Sequence, residues 1–384
     1  MVEFTYHGKA RISHTLYLKS KGWNDKPTSM QGIDFYQQHL DRVSRSFAFC
    51  IQKLNDPFRR HVSLAYLLCR VLDTIEDSAW TTTAQQLHQY AAFEQFLKTL
   101  PSPESVQAWA KDFPTSIPDS ERALAQDAFL LFQDLHDLPA TAQAAMRETV
   151  LRMGDGMKHY SETQNAIGQN ATPRAALKLT NLKEVNQYCY FVAGIVGELL
   201  SRLFIAYRDD FQAPTDFMKN AFHFGLFLQK VNLLKDQRGD EKEGRFLVPN
   251  RERVLESLRK NAMGSLRYLT SLPADEAGYR TFCAWSLFLG LASMPTIQEN
   301  YEAQNGVKIS RETTMALLAE IETMVQDNAA ILRHGEECLA LIPTTTASPS
   351  ETRSAEAPSV GDAWFSKIAG NALNRHELAE LEIL

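Results

Sequence analysis

Hydrophobic positions recur at helical spacing from about Asp34 to Ile342, with apolar residues three and four apart along one face of each segment. Proline and glycine fall mostly between these segments, as at Pro57, Pro139 and Pro214. A series of short alternating runs joined by Asn-Gly turns, which would indicate hairpins, does not occur. The pattern therefore predicts an all-α protein of about a dozen helices, each of roughly 10–25 residues.

The pattern also divides the chain. Residues 1–342 predict one large helical domain, whereas residues 343–360 are rich in Pro, Ser, Thr and Ala and predict a flexible linker. Residues 361–384 place Trp364 and Phe365 on the apolar side of an amphipathic tail. Two interpretations stay open: the tail docks on the body, or it lies on a membrane surface, which its few cations disfavour.

Composition narrows the class of protein. The net charge of -6 gives no support for a nucleic-acid partner, which usually meets a basic domain. Five cysteines, an odd number without a CxxC pair, fit a reducing compartment. The N-terminus lacks the apolar core of a signal peptide. The apolar residues 281–298, which include Pro295, are too short and too polar for a membrane span and predict a buried core helix. We expect a cytoplasmic protein whose membrane contact, if any, is peripheral to the inner face.

A first acidic motif follows the apolar residues 64–72. Asp73, Glu76 and Asp77 are spaced i, i+3 and i+4, so their carboxylates share one helix face. Such a cluster can be a solvated surface patch. On an apolar helix, however, a hard cation explains it better, and Mg²⁺ typically takes one or two carboxylates together with water and substrate phosphate.

A second stripe lies on another apolar helix. Gln229, Asn232, Asp236 and Asp240 are spaced i, i+3, i+7 and i+11, which places them on one side. Polar groups in such a helix need partners, because an unpaired buried one costs about 1–3 kcal/mol. Two such stripes together predict metal binding.

Basic residues suited to phosphate are also present. Arg45 lies between Ser44 and Ser46, and Arg245 follows Gly244, whose backbone freedom would allow close approach to an anion. Arginine fits phosphate oxygens in a two-pronged way. Each of these signals alone also fits an ordinary surface loop.

With these motifs in place, the chain resembles the squalene/phytoene synthase family of head-to-head prenyl transferases over roughly residues 35–330. The blocks that carry the resemblance are 44–48 (SRSFA), 70–77 (RVLDTIED), 112–115 (DFPT), 152–157 (RMGDGM), 188–194 (YCYFVAG), 199–204 (LLSRLF) and 226–240.

The resemblance implies an isoprenoid-synthase fold, a single large helical domain around a central cavity, with residues 1–342 as the catalytic domain. It implies the activity of a farnesyl-diphosphate farnesyltransferase with Mg²⁺ and NADPH as cofactors. Two farnesyl diphosphates would condense to presqualene diphosphate, which would then be rearranged and reduced by NADPH to squalene.

The resemblance also implies residue roles. The metal ligands would be Asp73, Glu76, Asp77, Asp236 and Asp240. The catalytic residues would be Tyr188, Asp73, Asp77, Asp236 and Asp240. The substrate-binding residues would be Ser44, Arg45, Ser46, Arg70, Gln229, Asn232 and Arg245. The cofactor-binding residues would be Arg45, Arg70, Lys235, Lys308 and Arg311.

Some positions depart from the family pattern. Residues 306–311 resemble the loop with which eukaryotic members contact NADPH phosphates, but Ser310 stands where a basic residue is frequent. Lys308 and Arg311 also fit ordinary solvated charges. Lys235 replaces an arginine, and Ser78 replaces an additional aspartate. The lack of a C-terminal membrane anchor favours a soluble, bacterial-type form.

Two other functions remain as alternatives. One is a related head-to-head synthase that makes presqualene diphosphate, dehydrosqualene or phytoene without NADPH. The other is a non-catalytic, lipid-binding family member, which we would expect to lose acidic motif residues that this chain keeps. The expected form is a monomer that takes two farnesyl diphosphates.

Overall fold

The computed structural model describes residues 31–167, 177–301, 309–342, 363–370 and 372–384, and these residues are almost entirely helical. In chain order the α-helices are α1 (Ile33–Val43), α2 (Arg45–Ile51), α3 (Phe58–Asp77), α4 (Thr83–Lys98), α5 (Pro103–Lys111), α6 (Asp119–Gln126), α7 (Ala128–Asp137), α8 (Ala140–Ile167), α9 (Leu182–Cys189), α10 (Ile195–Tyr207), α11 (Phe217–Lys242), α12 (Arg251–Ser271), α13 (Ala277–Glu299), α14 (Arg311–Met324), α15 (Asn328–Ala340), α16 (Ala363–Ala369) and α17 (Arg375–Glu380). A π-turn, Tyr190–Gly194, joins α9 to α10. Within these ranges the pairing of Lys178 with Phe246 is an isolated bridge and no strand occurs, which confirms the all-α prediction.

Several helix starts follow local sequence signals. Thr82 Oγ1 accepts a hydrogen bond from the backbone N–H of Gln85, and Gln85 Oε1 accepts one from the backbone N–H of Thr82, which forms a capping box. Ser102 caps α5 ahead of Pro103, and Asn250 caps α12. Because the first backbone N–H groups of a helix lack partners, each such cap stabilises the protein by about 1 kcal/mol.

Helices α3 and α11 form the middle of the protein. α3 packs against α1, α8 and α10, and α11 packs against α12, α10 and the π-turn. α13 contributes Trp285 and Phe288 to the same core. Residues 281–298 lie within α13, so their predicted role as a core helix is confirmed.

The contact of α11 with the π-turn and α10 depends on two glycines. A β-carbon at Gly225 would collide with the carbonyl oxygen of Ala193, and one at Gly197 would collide with that of Ala221. Only glycine permits backbones to approach this closely. These positions therefore fix α11, which carries the second acidic motif, against the segment that follows Tyr188.

One described stretch, Leu182–Tyr207, is long and apolar enough to cross a membrane by length and composition alone. Within its most apolar window 56% is buried inside the protein. It comprises α9, the π-turn and α10, and core helices of soluble proteins share these properties.

Residues 363–370 and 372–384, here called the C-terminal strap, pack against the body through their apolar side. Phe365 and Ile383 are fully buried, and Trp364 stacks on His159 with ring centroids 3.7 Å apart. The predicted linker, residues 343–360, lies outside the described residues, as do residues 1–30.

Candidate active site

The two acidic motifs meet at one cavity of about 470 Å³. Asp73, Glu76 and Asp77 reach it from the end of α3, and Asp236 and Asp240 reach it from the last turns of α11. We call this space the acidic cavity. The prediction from spacing that each motif places its carboxylates on one helix face agrees with this arrangement.

The electrostatics of the acidic cavity are unfavourable for the protein alone. Burial raises the pKa of Asp73 well above its usual range, and the neighbouring Asp77 and Glu76 raise it further, against the opposing effect of Arg70. Burial likewise raises the pKa of Asp240 to about 6, with Asp236 adding to the effect and Arg245 opposing it.

The helix ends add to this repulsion. Glu76 and Asp77 lie in the last turn of α3, and Asp240 lies in the last turn of α11. The carboxyl end of a helix carries a partial negative charge that disfavours anions by roughly 0.3–1 kcal/mol each. Glu76 and Asp240 are half-buried and Asp77 is exposed, so three carboxylates at two helix ends make this cavity strongly negative and favour a cationic ligand.

The donor set fits Mg²⁺. Within the described residues no three His, Cys, Asp or Glu side chains converge into a closed ligand cluster. Mg²⁺ does not need one, because it keeps several waters and binds through one or two carboxylates and a substrate phosphate. The open arrangement of Asp73 and Asp77 opposite Asp236 and Asp240 therefore suits an ion held together with a diphosphate rather than a permanent structural metal.

Arg245 reaches the acidic cavity because of the way α11 ends. Gly244 adopts a positive φ of 81°, and the backbone N–H of Arg245 donates to the carbonyl of Asp240 at 2.8 Å, while that of Gly244 donates to Glu241. This is a Schellman motif, which reverses the chain direction after a helix. Gly244 thus serves the helix end, and its expected role in close approach to an anion stays a prediction.

After this turn, the Arg245 side chain contacts both Tyr188 and the first acidic motif. Its Nη2 donates to the Tyr188 hydroxyl at 2.8 Å, and its Nη1 lies 3.4 Å from Asp77 Oδ1. Nη2 is also 3.8 Å from Glu76. The side chain is 8% exposed and its Nε has no partner among the described residues, so a buried donor is left for an anionic ligand.

Arg70 has a partner that the sequence did not reveal. Its Nε and Nη2 donate to Glu121 Oε1 at 2.9 and 2.5 Å, and Thr74 Oγ1 donates to Glu121 Oε2 at 2.7 Å. Glu121 is 5% exposed and comes from α6. Nothing in its local sequence, which is polar on both sides, separates it from a surface residue. Its ion pair fixes the Arg70 guanidinium at the edge of the acidic cavity.

A second, apolar cavity of about 280 Å³ lies behind the first. Its walls are mostly aliphatic and aromatic and include Tyr66, Phe224, Tyr268, Tyr279 and Phe282. The residues shared by both cavities are Arg70, Asp73, Val192, Gln229 and Asn232. The stripe on α11 thus passes from an uncharged polar part, at the boundary, to a charged part in the acidic cavity.

Beside these two lies a groove of about 310 Å³ that reaches α14. Lys235 lines both the groove and the acidic cavity, and its Nζ is 3.2 Å from Asp236 Oδ2. Ile309 and Thr314 form the far wall. The groove therefore runs from the acidic cavity to the end of the predicted NADPH loop and the first turn of α14.

Three of the predicted phosphate-binding residues cannot be placed by their side chains. Lys308 and the side chains of Arg45 and Ser46 lie outside the described residues, although Arg45 and Ser46 begin α2. Ser310, which stands where a basic residue is frequent, accepts from the backbone N–H of Thr313 at 3.0 Å and caps α14. Arg311 begins that helix and is exposed.

Ser44 lies between α1 and α2 and is half-buried, where it hydrogen-bonds Tyr66. Tyr66 lines the apolar cavity, and burial raises its pKa to about 12. Of the predicted substrate residues, those that the structure places on the two cavities are Arg70, Gln229, Asn232 and Arg245.

The sequence of this chain is similar to those of known proteins. The sequence model of the squalene/phytoene synthase family matches residues 40–322. Squalene synthase of Schizosaccharomyces pombe is 28% identical over 333 residues, covering 78% of this chain and 68% of the relative. Squalene synthase of Homo sapiens is 25% identical over 384 residues, covering 92% of this chain and 83% of the relative.

Solved structures agree in fold. TcSQS in complex with the ligand BPH1237 matches with a TM-score of 0.64 at 21% identity, covering 91% of this chain and 98% of that one. A dehydrosqualene synthase in complex with a ligand matches with a TM-score of 0.51 at 16% identity, covering 77% of this chain and 96% of that one. The predicted isoprenoid-synthase fold is confirmed.

Proposed function

This chain belongs to the squalene/phytoene synthase family, and from that membership we propose that it is a squalene synthase, a farnesyl-diphosphate farnesyltransferase. It would condense two farnesyl diphosphates to presqualene diphosphate and then reduce this product to squalene with NADPH. The observation that carries the proposal is the junction of an acidic cavity with an apolar one along α11.

The acidic cavity suits the diphosphate end of the substrate. Mg²⁺ held by Asp73, Glu76, Asp77, Asp236 and Asp240 would neutralise the diphosphate and make it a better leaving group. The protein's own cations would complete this neutralisation, because Arg70 and Lys235 line the same space. Fixed charges of this kind act strongly in a site that excludes water.

The Tyr188 phenol is suited to work beside a short-lived cation. Burial and the nearby Glu76 raise its pKa well above the usual value, opposed by Arg245, so the hydroxyl stays protonated at neutral pH. Arg245 holds the oxygen at 2.8 Å and thereby fixes the ring in the acidic cavity. A neutral phenol can stabilise positive charge through its π-electrons without being consumed.

The apolar cavity suits the prenyl chains. Its aromatic and aliphatic walls would exclude water, which would otherwise trap a carbocation as an alcohol. The polar boundary residues Gln229 and Asn232 carry no charge, so they can contact the substrate where its polar and apolar parts meet without opposing cation formation.

NADPH would approach from the side groove. The groove leads from Lys235 to Ile309 and Thr314, which are close in sequence to the predicted loop residues Lys308 and Arg311. Because squalene is apolar, we also propose that the protein releases it at a membrane surface through peripheral contact.

Product analysis tests the proposal. The protein is incubated with farnesyl diphosphate and Mg²⁺, with and without NADPH, and the hydrocarbon and diphosphate products are measured. We expect squalene only with NADPH and presqualene diphosphate without it. The same hydrocarbon under both conditions would instead establish the alternative without NADPH, and no turnover of any prenyl diphosphate would favour the non-catalytic alternative.

Substitution tests the metal role. Asp73→Asn and Asp236→Asn should each abolish diphosphate release, whereas the exposed control Asp209→Asn should leave it unchanged. Near-normal rates in both motif variants would refute the role of the acidic cavity in ionisation.

A further inference from the structure

The C-terminal strap contacts α9 immediately before Tyr188. Asn186 Nδ2 donates to the backbone carbonyl of Glu382 at 3.0 Å, and Gln187 Nε2 donates to that of Ile383 at 3.1 Å. Both donors are buried. Because two consecutive side chains of α9 hold the strap, the position of this helical turn depends on the last residues of the strap.

A row of aromatic rings connects the first helix of the strap to the same tyrosine. Trp364 stacks on His159 with an interplanar angle of 11° and meets the edge of Tyr160 at 5.7 Å. Tyr160 in turn meets the edge of Tyr188 at 5.2 Å. Edge-to-face pairs of this kind prefer a defined geometry, so the orientation of each ring constrains that of the next.

The strap also holds the π-turn that follows Tyr188. Its Ala369 carbonyl accepts from the Tyr190 hydroxyl at 2.9 Å and from Arg152 Nη1 at 2.6 Å. Phe365 packs against the rings of Tyr190 and Phe191. π-turns are rare and occur mostly as single turns within α-helices, frequently at functional sites, and this one is held by the strap through hydrogen bonds and ring contacts.

We propose that the C-terminal strap is a positioning element of the active site, which fixes α9 and the π-turn so that the Tyr188 hydroxyl lies against Arg245. The proposal rests on the function proposed above for Tyr188. The described strap residues line none of the three cavities, so they act through α9 and not on the substrate. Displacements of about 1 Å in a reacting group can cost on the order of 10²-fold in rate.

A double-substitution cycle tests whether the strap acts through Tyr188. The variants are Trp364→Ala, Tyr188→Phe and the double variant, with Lys367→Ala as a control on the exposed side of α16. We expect Trp364→Ala to lower kcat for diphosphate release about tenfold with KM within twofold, and to cost less than twofold when Tyr188 is already Phe. Lys367→Ala should have no effect. Equal losses in both backgrounds would overturn the proposal.

A second measurement does not depend on activity. Hydrogen–deuterium exchange of residues 182–194 should be at least tenfold faster in Trp364→Ala than in wild type, and close to wild type in Trp364→Phe and Lys367→Ala. Trp364→Leu, which keeps apolar bulk without the stacked ring, replaces the alanine variant if that variant does not fold. Unchanged exchange would overturn the positioning role even if activity fell. Failure of the wild type to turn over prenyl diphosphates would refute only the proposed function.

Discussion

Lys230 is a charged residue in the interior of α11, two residues before Asn232. It is 0% exposed, and its Nζ donates to Ser257 Oγ at 2.7 Å and to Asn261 Oδ1 at 2.5 Å. Burial lowers its pKa from 10.5 to about 8, opposed by Cys189 and Glu382 and assisted by Lys260. Replacing it by Met should therefore change how stability depends on pH.

The size and sign of the effect follow from proton linkage. At about 1.36 kcal/mol per pH unit, the interval between 10.5 and about 8 corresponds to about 3 kcal/mol. Below pH 8 the lysine is charged in both states and the folded state carries the full burial penalty. Between pH 8 and 10.5 the unfolded chain binds more protons than the folded one, so this penalty is relieved as the pH rises.

Chemical unfolding of wild type and Lys230→Met between pH 7 and pH 10 measures this. We expect the difference in unfolding free energy to shift by about 2–3 kcal/mol in favour of wild type over this range. Taking the difference cancels the titration of buried tyrosines and cysteines common to both proteins. Lys111→Met, an exposed lysine, is the control. If the unfolding free energies of wild type and Lys230→Met changed in parallel with pH, the reasoning would be refuted. A constant difference between the two curves would reflect only the lost hydrogen bonds of Lys230.

Three further predictions concern the cavities and the helix contact. Arg245→Lys should lower kcat for diphosphate release 10- to 100-fold, because lysine keeps the charge but lacks the planar fork whose separate nitrogens reach the tyrosine hydroxyl and the cavity. An unchanged kcat would contradict the proposed role of Arg245. Glu121→Gln should raise the KM for farnesyl diphosphate several-fold, because the Arg70 guanidinium loses its ion-pair partner. Thermal unfolding should show that the variant is folded. An unchanged KM would mean that Glu121 does not contribute to the site. Gly225→Ala should destabilise the protein by at least about 2 kcal/mol in urea unfolding. Gly239→Ala on the same helix, where a β-carbon meets nothing within 4 Å, should be neutral or stabilising. Equal changes in the unfolding free energy of the two variants would contradict the close backbone approach at Gly225.

The features predictable from the sequence are those that a single helix encodes. The spacing of Asp73, Glu76 and Asp77, and that of Asp236 and Asp240, fixes which side chains share a face, and apolar surroundings fix that this face is half-buried. The expectation that these two helices face one cavity came from the resemblance of separate sequence blocks to the squalene/phytoene synthase family. The all-α fold and the meeting of the two motifs at one cavity could both be anticipated in this way.

Features created by tertiary contact were not predictable. Glu121 acquires its function only because α6 packs beside α3, and its own neighbours carry no signal. In the sequence, Ser310 stands where a basic residue is frequent, but in the structure it caps α14. This role can be recognised only once the start of the helix is known. The strap contacts join residues about 180–220 apart in sequence, beyond any local pattern. The role of Lys308 stays a prediction.

The charge balance of the acidic cavity sets the order in which it can be filled. Its lining contains six carboxylates, those of Asp73, Glu76, Asp77, Asp236, Asp240 and Glu243, against three cations, those of Arg70, Lys235 and Arg245. A bare diphosphate would meet net repulsion there, so substrate should enter only with its counter-ions or after them. The metal-free protein should then have low affinity for any prenyl diphosphate, and the apparent affinity for Mg²⁺ should rise when substrate is present. When Mg²⁺ is scarce in the cell, prenyl diphosphates without bound Mg²⁺ would consequently compete poorly for this cavity.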